Sequence, residues 1–309
     1  MKKKPPRDLG RLRCAALLCG ALAAPLAGQA ACLGMVLHAH RGEAGSPENS
    51  LRAVEGALSG AWDGAEIDIQ QLRDGAWVLH HDPQLGRTTS LRGRTVASID
   101  SAAWKEVRLK DRAGRVTAES APFLDDVAQA AAAHGGKVLN VEIKQINGDC
   151  QPARSAATDL HRALPQGQWF LTSVDRRQLQ CARQSDPQGY LGLIVLDAQA
   201  LALGSSNRLA QRSAGHLGTP VIDRDWLMRL AQEVGQPVGV HVDIHTLRRN
   251  PGVLATAREL GMPVFTYHLG ADREHAQALQ AARRQGGLLP SGAIIDGDAG
   301  QFCRMVSAQ

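Results

Sequence analysis

The chain has 309 residues, 35 of them Lys or Arg and 30 Asp or Glu, for a formal charge of +5. Six of the bases (Lys2, Lys3, Lys4, Arg7, Arg11 and Arg13) and one acid (Asp8) fall in residues 1–30, and setting these aside leaves 29 of each sign. A formally neutral remainder has no basic footprint for nucleic acid, and the length admits one large α/β domain or two small ones.

In chain order, the basic head is followed by a short Ala/Leu-rich run from Cys14 to Gly28, and Gly28-Gln29-Ala30 offers small residues for cleavage. This is the layout of a signal peptide over 1–30, and the run is too short for a stable membrane span. An exported protein, periplasmic or secreted, is therefore expected, with residues 31–309 as its mature part. Cys14 and Cys19 leave with the leader, so Cys32, Cys150, Cys181 and Cys303 remain and permit two disulfides in three connectivities. Cys32–Cys303 with Cys150–Cys181 is the favoured pairing, because the first and last strands of a barrel are neighbours. No CxxC pair exists for a zinc-thiolate site.

Beyond the leader, short apolar runs alternate with Ala/Leu-rich helical stretches, the beat of βα units on a parallel sheet. Strands are expected at 35–39, 65–71, 137–143, 168–173, 189–195, 238–243, 262–268 and 292–296, with 219–222 as a possible ninth. Helices are expected at 50–59, 124–134, 151–163, 175–184, 223–234, 251–260 and 272–284, while 201–218 is poorly patterned. Eight strands imply a closed α/β architecture, the TIM (β/α)8 barrel. The polar segment 83–122 breaks the beat, carries Arg87-Thr88-Thr89 and a short helical piece near 101–107, and reads as a small insertion after the second strand.

Chemistry-bearing residues cluster in the N-terminal half. Residues two apart on a strand share a face, so Glu66 and Asp68 project together from the second strand and Glu142 and Lys144 from the third. His40 ends the first strand, and all lie at the C-terminal ends of neighbouring strands, where such barrels place their active sites. Three carboxylates this close repel one another unless a cation lies between them. Glu66, Asp68 and Glu142 are therefore expected to ligate one divalent cation, and their all-oxygen donor set suits Mg²⁺ or Ca²⁺. His40 and His81 titrate near neutrality and are the acid–base pair. His80 should face away from its neighbour, and His38, on the face of His40 one layer deeper, is a potential orienting partner. Arg41 and Lys144 would balance the charge of a phosphate.

With these residues assembled, the chain resembles the glycerophosphodiester phosphodiesterase family from about Val36 to Gly297. The resemblance rests on HRG at 40–42, PENS at 47–50 where the family has PENT, ExD at 66–68 with Asp74-Gly75, HHD at 80–82, RTT at 87–89, PFLDDV at 122–127 and VEIK at 141–144. It implies a TIM barrel with an insertion after the second strand, His40 and His81 as general base and acid, and one cation on Glu66, Asp68 and Glu142. It further implies phosphate contacts from Arg41 and Lys144, with Glu48 supporting the site from the PEN loop. The substrate would be a small-molecule phosphodiester, hydrolysed to glycerol 3-phosphate and an alcohol.

The C-terminal half departs from the family pattern. Tyr267 and Gly270 stand where the family has the Trp and Asn of its V-x-x-W-T-V-N strand, and Ile294-Ile295-Asp296-Gly297 replaces a T-D-x-P ending. Tyr267 offers an aromatic wall with a hydroxyl for a polyol. These departures bear on the alcohol, so the rival readings are a barrel phosphodiesterase for lysophospholipids or other headgroup diesters, and a non-catalytic binding protein on the same scaffold.

Overall fold

Strand β1 (Val36–His40), β2 (Gly64–Gln71), β6 (Val138–Ile143), β7 (Trp169–Ser173), β8 (Leu191–Val195), β9 (Val238–Asp243), β10 (Val264–Tyr267) and β11 (Gly292–Ile295) pair in parallel in that order. The numbers between them belong to three short strands, β3 (Trp77–Leu79), β4 (Arg108–Lys110) and β5 (Val116–Ser120). β11 returns to β1, with Val36 opposite Gly292, and closes an eight-stranded barrel surrounded by helices. The computed structural model describes residues 32–144, 148–205, 207–268, 272–285 and 287–308, so the leader expected at 1–30 and Gly270 lie outside the described residues. Among the described residues no helix is long and apolar enough to cross a membrane.

All eight expected barrel strands are present, each within two residues of its expected bounds. Residues 219–222 form no strand. Pro220 has no N–H for a ladder, and the side chain of Asn250 holds this segment instead, through the Ile222 N–H at 2.9 Å and the Pro220 carbonyl at 2.8 Å. The poorly patterned 201–218 stretch takes in the end of a helix, Ala198–Gly204, the helix Arg208–Ser213 and the 3-10 turn Ala214–His216.

The insertion has its own small core. β3 pairs antiparallel with the end of β2, β4 and β5 form a separate hairpin, and Val78, Leu85, Val96, Ile99, Val107 and Leu109 enclose Trp104. Trp104 is fully buried and donates its indole N–H to the Pro122 carbonyl at 3.3 Å. This satisfied polar tip is what a buried indole requires.

Inward-facing residues of the barrel alternate along each strand, and glycines on some strands admit rings from others. A Cβ at Gly192 would lie 2.6 Å from the His241 ring, and one at Gly292 would collide with Phe265. His241 and Phe265 stack with centroids 4.7 Å apart, and His38 packs 5.3 Å from Phe265 and 5.8 Å from Phe170. These rings floor the barrel beneath its mouth.

Burial holds His38, His241 and His275 neutral, each with its pKa lowered to about 3. In the unfolded chain the same groups titrate near 6.5, so between those values the unfolded state binds more protons than the folded one. The stability they confer is present above pH 6.5 and lost as pH falls toward 3, by about 1.4 kcal/mol per pH unit for each ring. Denaturant midpoints measured from pH 7.5 to 4 should fall steeply, and His275→Leu should reduce the slope. A flat profile would show that these rings do not govern acid stability.

Both expected disulfides form. Cys32–Cys303 joins the start of the described chain to the last described helix (Ala299–Ser307), and Cys150–Cys181 joins the residue that starts the helix Gln151–Ala163 to the neighbouring helix Arg176–Ser185, with Cα separations of 5.3 and 5.1 Å. The first spans 271 residues. On the chain-entropy account, closing so long a loop restricts the unfolded state by on the order of 5 kcal/mol.

Candidate active site

The site begins where β1 stops. Arg41 takes φ +57° and Gly42 φ +86°, and at Gly42 a Cβ would press to 2.6 Å from the Ala53 backbone, so only glycine fits the turn. Holding Arg41 in the left-handed region costs on the order of 1 kcal/mol. The turn aims its backbone N–H at Glu66 Oε2, 3.0 Å away. A few residues on, Ser50 caps the helix Leu51–Ser59 by accepting from the Ala53 N–H at 3.0 Å, which a threonine hydroxyl would do equally.

Register brings the acids together. His40 lies opposite Glu66 and Asp68 opposite Glu142, so the carboxylates of Glu66, Asp68 and Glu142 each offer an oxygen within 4.8 Å of the other two. Asp68 is gripped on all sides. Arg41 Nε stands 3.2 Å from one of its oxygens and Lys144 Nζ 3.3 Å from the other, while Asn49 donates from its amide at 2.8 Å and accepts the Asp68 N–H at 3.1 Å. Burial works against its charged form, but Lys144 and Arg41 prevail and hold its pKa well below the ordinary value. Glu66 goes the other way: burial and then the charge of Asp68 push it up to about 8. Burial also raises Glu142, although Lys144 donates to it at 2.7 Å. Protein cations alone thus leave the cluster over-supplied with negative charge. Three converging oxygens in that condition fit a hard divalent cation.

The two histidines are oriented alike. His40 Nδ1 lies 2.7 Å from Asp296 Oδ1 and His81 Nδ1 2.7 Å from Asp82 Oδ1, an arrangement in which each Nδ1–H donates to a carboxylate and Nε2 is left for chemistry. Burial opposes protonation of His40, but the bond to Asp296 and the charge of Glu66 outweigh it and raise the pKa. Burial lowers that of His81, and the nearby charges of Arg41 and Lys144 add to the effect. Gln70 fixes the His81 backbone by donating to the carbonyls of His80 and Asp82 at 2.8 and 2.9 Å. His80 faces away as expected, buried edge-on to Trp104.

His38 does not orient His40. Its ring is among the floor aromatics with Nδ1 unpartnered, and Asp296 takes the orienting role because β11 closes against β1. Asp296 is itself positioned by Asp272, which accepts the N–H of Asp296 at 3.1 Å and of Gly297 at 2.5 Å. Glu48 accepts from Arg41 at 2.8 Å and from both terminal nitrogens of Arg87, and Arg87 also reaches Asp82 at 2.5 Å. Through Arg87 the insertion therefore clamps the PEN loop to the segment carrying His81.

The fold gathers His40, His81, Arg41, Lys144, Glu66, Asp68 and Glu142 around one cavity of about 450 Å³. Tyr267 lines it too, donating its hydroxyl to the Val195 carbonyl at 3.3 Å. Asn49, Asp82, Arg87 and Asp296 join the site without being singled out by the sequence. The signal for Asp296 is its place at the end of the last strand, beside the first; Asn49, Asp82 and Arg87 lie inside the PEN, HHD and RTT motifs.

Comparison with known proteins agrees with this geometry. The model of the glycerophosphoryl diester phosphodiesterase family matches residues 40–286. An uncharacterized protein of Bacillus subtilis is 37% identical over 113 residues, and a glycerophosphodiester phosphodiesterase of Bacillus altitudinis is 31% identical over 113 residues. Each match covers 35% of this chain and 44% of the relative, so the chain spans less than half the length of these curated relatives. A phosphodiesterase from Oleispira antarctica, solved in complex with the product sn-glycerol-3-phosphate, shares the fold with a TM-score of 0.67. It is 20% identical, and the match covers 88% of this chain and 95% of that one. The match over most of the barrel, on the strands that bring the acids and histidines together, makes this chain a member of the glycerophosphoryl diester phosphodiesterase family.

Proposed function

We propose that the protein hydrolyses glycerophosphodiesters to glycerol 3-phosphate and a free alcohol. The observation that carries the reading is one cavity lined by His40, His81, Arg41, Lys144 and the Glu66–Asp68–Glu142 cluster. Two imidazoles with Nδ1 tied to carboxylates can relay a proton from an attacking hydroxyl and to a leaving alkoxide. Arg41 and Lys144 supply fixed positive charge for the phosphate oxygens, and Glu48 holds Arg41 in place. A Mg²⁺ or Ca²⁺ ion held by Glu66, Asp68 and Glu142 would add positive charge where the phosphoryl group gains negative charge. Tyr267 walls the alcohol side. Export through the leader at 1–30, with 31–309 as the mature enzyme in the periplasm or outside the cell, is part of the same reading, and two disulfides support it.

A second substrate class has an observation of its own. Val174, Ile194, Leu196 and Leu201 line the same cavity, and Leu196 is 51% and Leu201 44% exposed, so an acyl-bearing alcohol has an apolar surface to lie on. The purified protein should be assayed with glycerophosphocholine and with lysophosphatidylcholine in Mg²⁺ or Ca²⁺. Release of glycerol 3-phosphate from the first is expected. Faster turnover of the second would move the substrate to lysophospholipids, and no turnover of any diester would leave the binding-protein reading.

A further inference from the structure

A second group of metal-binding side chains stands away from the three carboxylates. Asp243 ends β9, His245 follows in the helix Ile244–Arg249, and His268 follows β10; each offers one donor atom, and these lie within 4.8 Å of one another. The pairing of Tyr267 with Asp243 across β9 and β10 brings His268 beside the other two. The imidazoles of His245 and His268 approach to 5.1 Å between centroids.

The partners of these groups are incomplete. Asp243 is 1% exposed in its side chain, yet its Oδ2 has no hydrogen-bond partner; the Nδ1 of His268, 6% exposed, has none either. The two atoms face each other across 3.8 Å, close enough for an ion pair when His268 is protonated but too far for a hydrogen bond. A buried carboxylate oxygen and a buried ring nitrogen without a hydrogen bond are poorly satisfied, and a bound cation would serve both. The other ring nitrogen of His268 lies 3.1 Å from Glu274 Oε2, the carboxylate–histidine arrangement that orients a metal-ligating imidazole and fixes its tautomer. The other oxygen of Asp243 accepts the His245 backbone N–H at 2.8 Å and also lies 2.8 Å from the ring Nδ1 of His245.

We propose that Asp243, His245 and His268 form a second metal site, selective for a borderline divalent transition ion such as Zn²⁺. Two imidazoles and one carboxylate favour such an ion over Mg²⁺ or Ca²⁺, whereas the all-carboxylate cluster has the opposite preference. Three protein ligands leave a four-coordinate ion one open position. His268 and Tyr267 both line the cavity of the first site, so the ion ties the end of β9 to the wall that faces the substrate alcohol.

The test does not depend on turnover. Untagged protein is stripped with chelator, saturated with Mg²⁺, and titrated with Zn²⁺ by calorimetry and with Co²⁺ by visible absorption. The expected result is a tight Zn²⁺ equivalent and a cobalt band, both lost in His268→Ala and His245→Ala and both kept in Glu142→Gln. Glu274→Gln, at a position 71% exposed and so safe for the fold, should weaken Zn²⁺ roughly 10–100-fold. Wild-type protein that takes up no Zn²⁺ beside Mg²⁺ would overturn the proposal, as would a cobalt band that survives both histidine changes. In the first case the three residues are a hydrogen-bonded cluster only; in the second, the ion sits on the carboxylates.

Discussion

Replacing His40 or His81 by alanine is expected to lower kcat on glycerophosphocholine by roughly 10²–10⁴-fold each, the usual share of a positioned acid or base. The fold should survive, because the two side chains are 32% and 34% exposed and their removal opens no sealed cavity. On the proposed mechanism both rings serve one proton relay, so the double variant should be little worse than the weaker single one. Asp296→Asn should give an intermediate loss, since the ring stays but its orienting charge goes. Thermal melts would establish that each variant folds, and steady-state kinetics would measure the loss. Near-wild-type turnover in either alanine variant would remove that histidine from the mechanism.

Chelation should have the larger effect and abolish activity outright, with recovery on adding Mg²⁺ or Ca²⁺. The cluster cannot keep its charge without help, since burial and Asp68 push Glu66 up to about 8. Among single substitutions, Glu142→Gln isolates the metal. It should raise the cation concentration needed for half-maximal activity by more than the roughly 10–100-fold that losing a mere supporting partner costs. Asp68→Ala is a poorer probe. Asp68 is 1% exposed and pairs with Arg41, Lys144 and Asn49, so removing it strands buried charge and costs about 3–5 kcal/mol of stability. Full activity after exhaustive chelation would eliminate the metal from the reaction.

The barrel is legible in the sequence because its strands are short, largely apolar runs set between longer Ala/Leu-rich helical stretches, two periods that do not imitate each other. The carboxylate cluster is legible for a similar reason, since Glu66 and Asp68 share a strand face by their spacing alone. What escapes depends on pairing between strands. Asp296 reaches His40 across the closure of β11 against β1, 256 residues apart in sequence, and no local pattern carries that contact. Asp243 at the end of β9 and His268 just past β10 are brought within 3.8 Å in the same way. The hairpin β4–β5 is hidden because much of it is exposed or half-buried and it carries few apolar side chains. His38 departs from its expected role because two residues along a strand change depth as well as sharing a face, and at its depth the neighbours are phenylalanines.

The bond between Cys32 and Cys303 guards the seam of the barrel. Without β11, the edge of β1 that it covers is unpaired and open to another chain. Cys32 lies just before β1 and Cys303 in the last described helix, beyond β11, so the crosslink ties together the two stretches of chain that flank this seam. A molecule whose Cys32 still reacts with a thiol label therefore lacks the covalent tether across its seam.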